Sequence, residues 1–92
     1  MNFTKDPDAE LDYAVDWTDW LGTDTIVGST WTVAAGSGIQ VSNESVDPGG
    51  HVCTAWLSGG TISTAPYRVT NEITTAAGRV DDRSLLIKIQ NR

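Results

Sequence analysis

From Leu11 onward, apolar and polar residues alternate with the two-residue period of a half-buried strand: Leu11, Tyr13, Val15 and Trp17 share one face, and Asp12, Ala14 and Asp16 the other. The pattern then breaks at Thr18-Asp19-Trp20-Leu21-Gly22, which predicts one helical turn capped by Thr18 and stopped by Gly22. A β-branched stretch from Thr25 to Val33 predicts a second strand, with Val27, Trp31 and Val33 on one face and Gly28 as a bulge or close-approach point. Ala35-Gly36-Ser37-Gly38 is a turn, and Ile39 to Ser42 a short strand. Asp47-Pro48-Gly49-Gly50 is a second turn, because proline presets φ and glycine accepts positive φ. Val52 to Ser58 follows as a strand with Cys53, Ala55 and Leu57 inward and Trp56 outward.

Beyond Ala65-Pro66, Tyr67, Val69 and Ile73 alternate with Arg68, Thr70, Glu72 and Thr74, and Asn71 shares the inward side. A buried amide there is costly unless bonded. Ala76-Ala77-Gly78 turns the chain, and residues 84–90 alternate once more, with Leu85, Ile87 and Ile89 inward. Short strands punctuated at intervals of roughly ten residues require a sandwich or small barrel. No long 3.6-residue period occurs, so helical folds are excluded. The expected fold class is all-β, an immunoglobulin-like antiparallel β-sandwich of about seven short strands over residues 11–92. Residues 1–10, polar and holding Asp6-Pro7-Asp8, are expected to be an extended N-terminal arm of the kind that orders on a partner.

Charge narrows the partners. The formal net charge is −6, which repels nucleic-acid phosphate. Residues 1–24 hold Asp6, Asp8, Glu10, Asp12, Asp16, Asp19 and Asp24 against Lys5, whereas residues 68–92 are predominantly basic. Opposite ends of this kind favour first and last strands lying side by side, or copies packing head to tail; a merely solvated surface gives the same counts. No window has the apolar length of a membrane span, and the amino terminus lacks a secretory pattern. Cys53 is the only cysteine, so no intrachain disulfide forms, in keeping with assembly in a reducing host cytoplasm.

Candidate chemistry is sparse. His51, the only histidine, has no partner in sequence, and the alternation buries Cys53, so neither suits catalysis. Asp6-Pro7-Asp8 and Asp81-Asp82 match no calcium-loop signature. Asp81-Asp82 is expected to shape the connection between the last two strands, with Arg79 and Arg83 as flanking ion-pair partners. No catalytic residue, metal ligand or cofactor site can be nominated, and an enzyme is not expected. Trp17, Trp20, Trp31 and Trp56 exceed the needs of a small core, so Trp20 or Trp56 is a candidate for a contact surface.

Three stretches carry a family resemblance: Lys5-Asp6-Pro7-Asp8 leading to Leu11-Asp12-Tyr13 and Asp16-Trp17-Thr18-Asp19-Trp20-Leu21; Ala55-Trp56-Leu57-Ser58-Gly59-Gly60; and Val69 through Ser84, with Asn71-Glu72-Ile73-Thr74-Thr75 and Gly78-Arg79-Val80-Asp81-Asp82-Arg83. Together they resemble small fibre-tail adaptor or neck-region structural proteins of tailed bacteriophages, a family regarded as immunoglobulin-like. The segment Ile39 to His51 matches no pattern of that family. The resemblance implies a multi-copy virion protein, assembled as a ring, whose partners are other phage neck, tail, fibre or connector proteins, with no nucleic acid or membrane contact. It also implies an arm over Phe3 to Leu11, signature aromatics at Trp17 and Trp20, and a signature loop from Arg79 to Ser84. The expected interface residues are Phe3, Lys5, Asp6, Asp8, Trp20, Arg79, Asp81, Asp82 and Arg83. The alternative is a host-surface glycan-binding module using Trp56 or the 36–50 loops.

Overall fold

In the computed structural model, which describes residues 2–91, the alternation becomes seven strands: β1 (Asn2–Lys5), β2 (Leu11–Asp16), β3 (Ile26–Val33), β4 (Ile39–Val46), β5 (Val52–Gly59), β6 (Tyr67–Thr75) and β7 (Val80–Ile89). One helical turn, α1 (Thr18–Leu21), joins β2 to β3. Met1 of the expected arm and Arg92 of the basic end lie outside the described residues. The strands make a four-stranded sheet in the order β1-β7-β6-β3 and a three-stranded sheet in the order β2-β5-β4. The sheets close over Val15, Trp17, Cys53, Ala55, Leu57, Val69, Ile73, Leu85, Ile87 and Ile89, all fully buried. The fold is thus an all-β sandwich, with every pairing antiparallel except the parallel β1–β7 pair.

The first and last strands do lie side by side, and main-chain pairing with apolar packing joins them: Phe3 sits opposite Ile87 and Lys5 opposite Ile89. The segment expected to order on a partner therefore orders within the chain over β1. Lys5 is fully buried. Its Nζ donates to the Gly59 carbonyl at 2.6 Å and to the Asp6 carbonyl at 2.9 Å. Burial pushes the ammonium below the usual lysine range, against the opposing field of Asp6 and Asp8. A lysine turned inward on an edge strand also discourages random edge pairing.

Four local expectations need correction. Val27 is expected to share a face with Trp31, but the register slips between Ile26 and Gly28, so Val27 is the extra residue of a bulge and is exposed while Trp31 is buried. Leu11 was placed inward, yet it stands exposed at the open end of β2. Thr18 does not cap α1; its N–H and hydroxyl both donate to the Asp16 carboxylate, a local bond favoured by an acid two residues upstream. The last strand begins at Val80 rather than residue 84, so Asp81 and Asp82 pair with Ile73 and Glu72 inside the ladder. Val80, Asp81 and Asp82 are all exposed, so polar residues continue β7 there without loss of burial.

Glycines act where the sheets turn. Gly60 has φ +118°, and a Cβ there would lie 2.7 Å from Ile89 Cδ1, in the core. Gly60→Ala is expected to cost about 3 kcal/mol, from strain and displacement of Ile89. A fall in the urea midpoint with unchanged slope is the check.

Candidate functional site

The two stretches most characteristic in sequence, Asp16 to Leu21 and Arg79 to Ser84, meet at one end of the sandwich. Trp17 is fully buried and anchors this end. Its Nε1 donates to Asn71 Oδ1 at 2.9 Å, and Asn71 Nδ2 donates to Ser29 Oγ at 2.9 Å, so the inward amide is satisfied. Trp20, one helical turn on, packs edge-on against Trp17 with ring centroids 5.4 Å apart at 70°. The Arg79 guanidinium lies 4.2 Å over Trp20, and that of Arg83 lies 4.3 Å over Trp17. Planar cation and indole faces attract through the ring quadrupole.

Asp24, in the α1–β3 link, ties the cluster together. Its carboxylate accepts from the Arg79 Nε at 3.0 Å, from the Thr25 N–H at 2.9 Å and from the Ala77 N–H at 3.1 Å. Arg79 also donates to the Leu21 carbonyl at 3.0 Å, and Arg83 to the Asp16 carbonyl at 3.0 Å. The hydrogen bond from Thr75, then those from Thr25, Ala77 and Arg79, hold the Asp24 carboxyl down at about 2. Asp47 plays a similar part in the β4–β5 turn. Its carboxylate accepts from the Val52 and His51 N–H groups, which lowers its pKa.

The arginines therefore face the tryptophans and Asp24, not Asp81 and Asp82. Asp81 and Asp82 remain exposed on β7, with the Asp82 N–H donating to Asp81 Oδ1. Alternation along a strand describes one strand at a time, so Asp24 was missed. The available signal was two aromatics one helical turn apart matched by two arginines after a turn.

A second region forms between edge strands β1 and β2. Phe3 is 37% exposed and Leu11 39%. Phe3 packs edge-on against Tyr13, with centroids 5.1 Å apart at 75°. These residues, with Thr4, Asp12 and Ala14, line a groove of about 430 Å³. Asp6 and Asp8 fold into a tight turn beside it, the Asp8 N–H donating to Asp6 Oδ1 at 2.8 Å. Of the residues expected at an interface, Phe3, Asp6 and Asp8 gather here, Trp20, Arg79 and Arg83 gather at the α1 end, and Lys5 faces the core.

Burial raises the Cys53 thiol above its usual range, which suppresses the reactive thiolate. Among the described residues, no group of three His, Cys, Asp or Glu side chains is placed to hold a metal ion. No helix among them is long and apolar enough to cross a membrane. Trp56 is half-buried on the outer face of the β2-β5-β4 sheet, opposite Asp12 and Ser42.

What the fold offers is surface: a braced cationic-aromatic end and an open apolar flank on a small β-sandwich, the makings of a structural protein that binds other proteins. The chain belongs to the podophage GP4 fibre-tail adaptor protein gp77 family, whose model matches residues 5–88. This makes it a bacteriophage tail adaptor, a component of the virion. No curated protein matches the chain.

Proposed function

We propose that this chain is a multi-copy adaptor, arranged as a ring, that holds tail fibres or neighbouring tail and connector proteins on the virion by protein-protein contact and without catalysis. The family match over residues 5–88 carries the reading. The braced α1 end supports it, because indoles and arginines fixed by packing lose little entropy when a partner covers them. The acidic surface, net −6, suits protein partners better than nucleic acid.

Virions assembled without this chain are expected to carry tails that lack fibres in negative-stain electron microscopy. Fully fibred particles would overturn the reading. A paired Trp20→Ala, Arg79→Glu variant that keeps its β-sheet dichroism is expected to co-purify with tail components about tenfold less well. Trp56, between Asp12 and Ser42, supports the glycan alternative. A glycan-array signal abolished by Trp56→Ala would add a host-surface contact to the adaptor role.

A further inference from the structure

Two of the four sheet edges shelter each other. Edge strands β3 and β4 lie against one another, and the Glu44 carboxylate crosses between them to accept from the Trp31 N–H at 3.2 Å. At the β1–β2 flank Phe3 meets Tyr13 edge-on, and Phe3 and Leu11 stay exposed above the groove. The ladder phase shows which main-chain groups are open there. The Trp17 N–H donates to the His51 carbonyl at 2.9 Å, so the two-residue period turns the bonding groups of Val15, Tyr13 and Leu11 toward β5. Those of Asp12 and Ala14 point away from β5, along the groove. Arg83 covers the Asp16 carbonyl and marks one end of the open edge.

Charge selects the occupant. Asp12 lines the groove, Asp8 and Glu10 are exposed on the link that leads into β2, and the Lys5 that precedes them is fully buried and turned inward. A second copy cannot supply the complement from a free strand. Its edges β3 and β4 carry only Glu44 as a charged residue, β2 carries Asp12 and Asp16, and the Lys5 of β1 is buried. Among the described residues, its other cations are Arg68 on β6, Lys88 on β7 opposite Thr4, Arg79 on the β6–β7 turn, and Arg83, which lies over Trp17 and donates to the Asp16 carbonyl; none of them is on an edge strand.

We propose that the open β2 edge takes up an extended, basic segment of a different protein, in which apolar and cationic residues alternate, as an added strand of the β2-β5-β4 sheet. Asp12 and Ala14 supply the main-chain bonds, Phe3, Leu11 and Tyr13 receive the apolar side chains, and the acidic rim pairs with the cationic ones. This deepens the adaptor reading and rests on it for the identity of the partner, not for the chemistry.

The test titrates the isotope-labelled full chain with the capped peptide Val-Lys-Val-Lys-Val-Lys and with its Val-Glu counterpart. The basic peptide is expected to slow amide exchange at Asp12 and Ala14 by about tenfold or more, with affinity falling as salt rises. Ala14→Pro removes one outward N–H at an edge position that tolerates proline, and abolishes binding. A paired Glu10→Lys, Asp12→Lys variant, altered only at the surface, weakens it at least about tenfold. Equal binding of the Val-Glu peptide, or no protection at Asp12 and Ala14, overturns the proposal. Protection of β2 that grows with protein concentration in the absence of peptide gives the groove to a second copy and also overturns it. Fibred particles assembled with the Ala14→Pro chain overturn this edge while leaving the adaptor role intact.

Discussion

Asn71→Ala is expected to destabilise the domain by about 4 kcal/mol, a large share of what a domain of this size possesses. The substitution strips the acceptor from the Trp17 indole and the donor from Ser29, both within the sandwich, and leaves a void between the sheets. Trp17→Phe reaches the same bond from the other side, orphans Asn71 Oδ1 and costs about 3 kcal/mol. Because the two residues share one bond, Trp17→Phe combined with Asn71→Leu should cost clearly less than the sum of the single changes. Trp31 provides the control. Its Nε1 is buried with no hydrogen-bond partner, so Trp31→Phe discards an unsatisfied group and is expected to cost less than about 1 kcal/mol. Urea titrations of the variants, followed by far-ultraviolet dichroism, provide the comparison. Equal losses at Trp17 and Trp31 would show that ring burial alone sets both values.

Acid is expected to loosen the α1 end through Asp24. Its folded pKa of about 2 lies below the value of about 3.9 for an unfolded aspartate. A carboxyl depressed by folding contributes stability that is fully present above the unfolded pKa and disappears as pH falls through the folded one. The contribution of Asp24 therefore fades from about pH 4 to about pH 2. Asp16 and Asp47 are also depressed and add to the same acid limb. Asp24→Asn should be less stable than the parent at neutral pH and should take up about one proton fewer on unfolding across that window. Tryptophan emission is a suitable reporter, since Trp17 and Trp20 stand within this cluster. Parallel pH-stability curves for the two proteins would remove Asp24 from its place as the tie between α1 and the β6–β7 turn.

These two sites mark where sequence reasoning was strong and where it stopped. Asn71 falls among Val69 and Ile73 on an inward face, so its burial and its need for partners were legible from spacing. The identities of those partners were not, because Trp17 and Ser29 lie on β2's exit and on β3, far away along the chain. Arg79 and Arg83 were legible as important but were assigned to the neighbouring aspartates. Short sequence distance suggested that pairing; the ladder carries Asp81 and Asp82 to the sheet face and leaves the arginines to the indoles and Asp24. Lys5 shows the same limit more sharply. A charged residue in a polar segment reads as exposed, yet parallel pairing with β7 carries it into the interior, where carbonyl oxygens receive it.

Sequence alone determined the all-β class, the inward faces of β2, β5, β6 and β7, and the turns, because two-residue alternation and turn chemistry are local properties of the chain. Only the tertiary structure decided that β1 closes against β7, that the aromatic and arginine stretches interlock, and that the β2 edge stays open. Those outcomes depend on which strands become neighbours, and neighbours are chosen by the burial and hydrogen bonding of the whole sandwich rather than by any one segment.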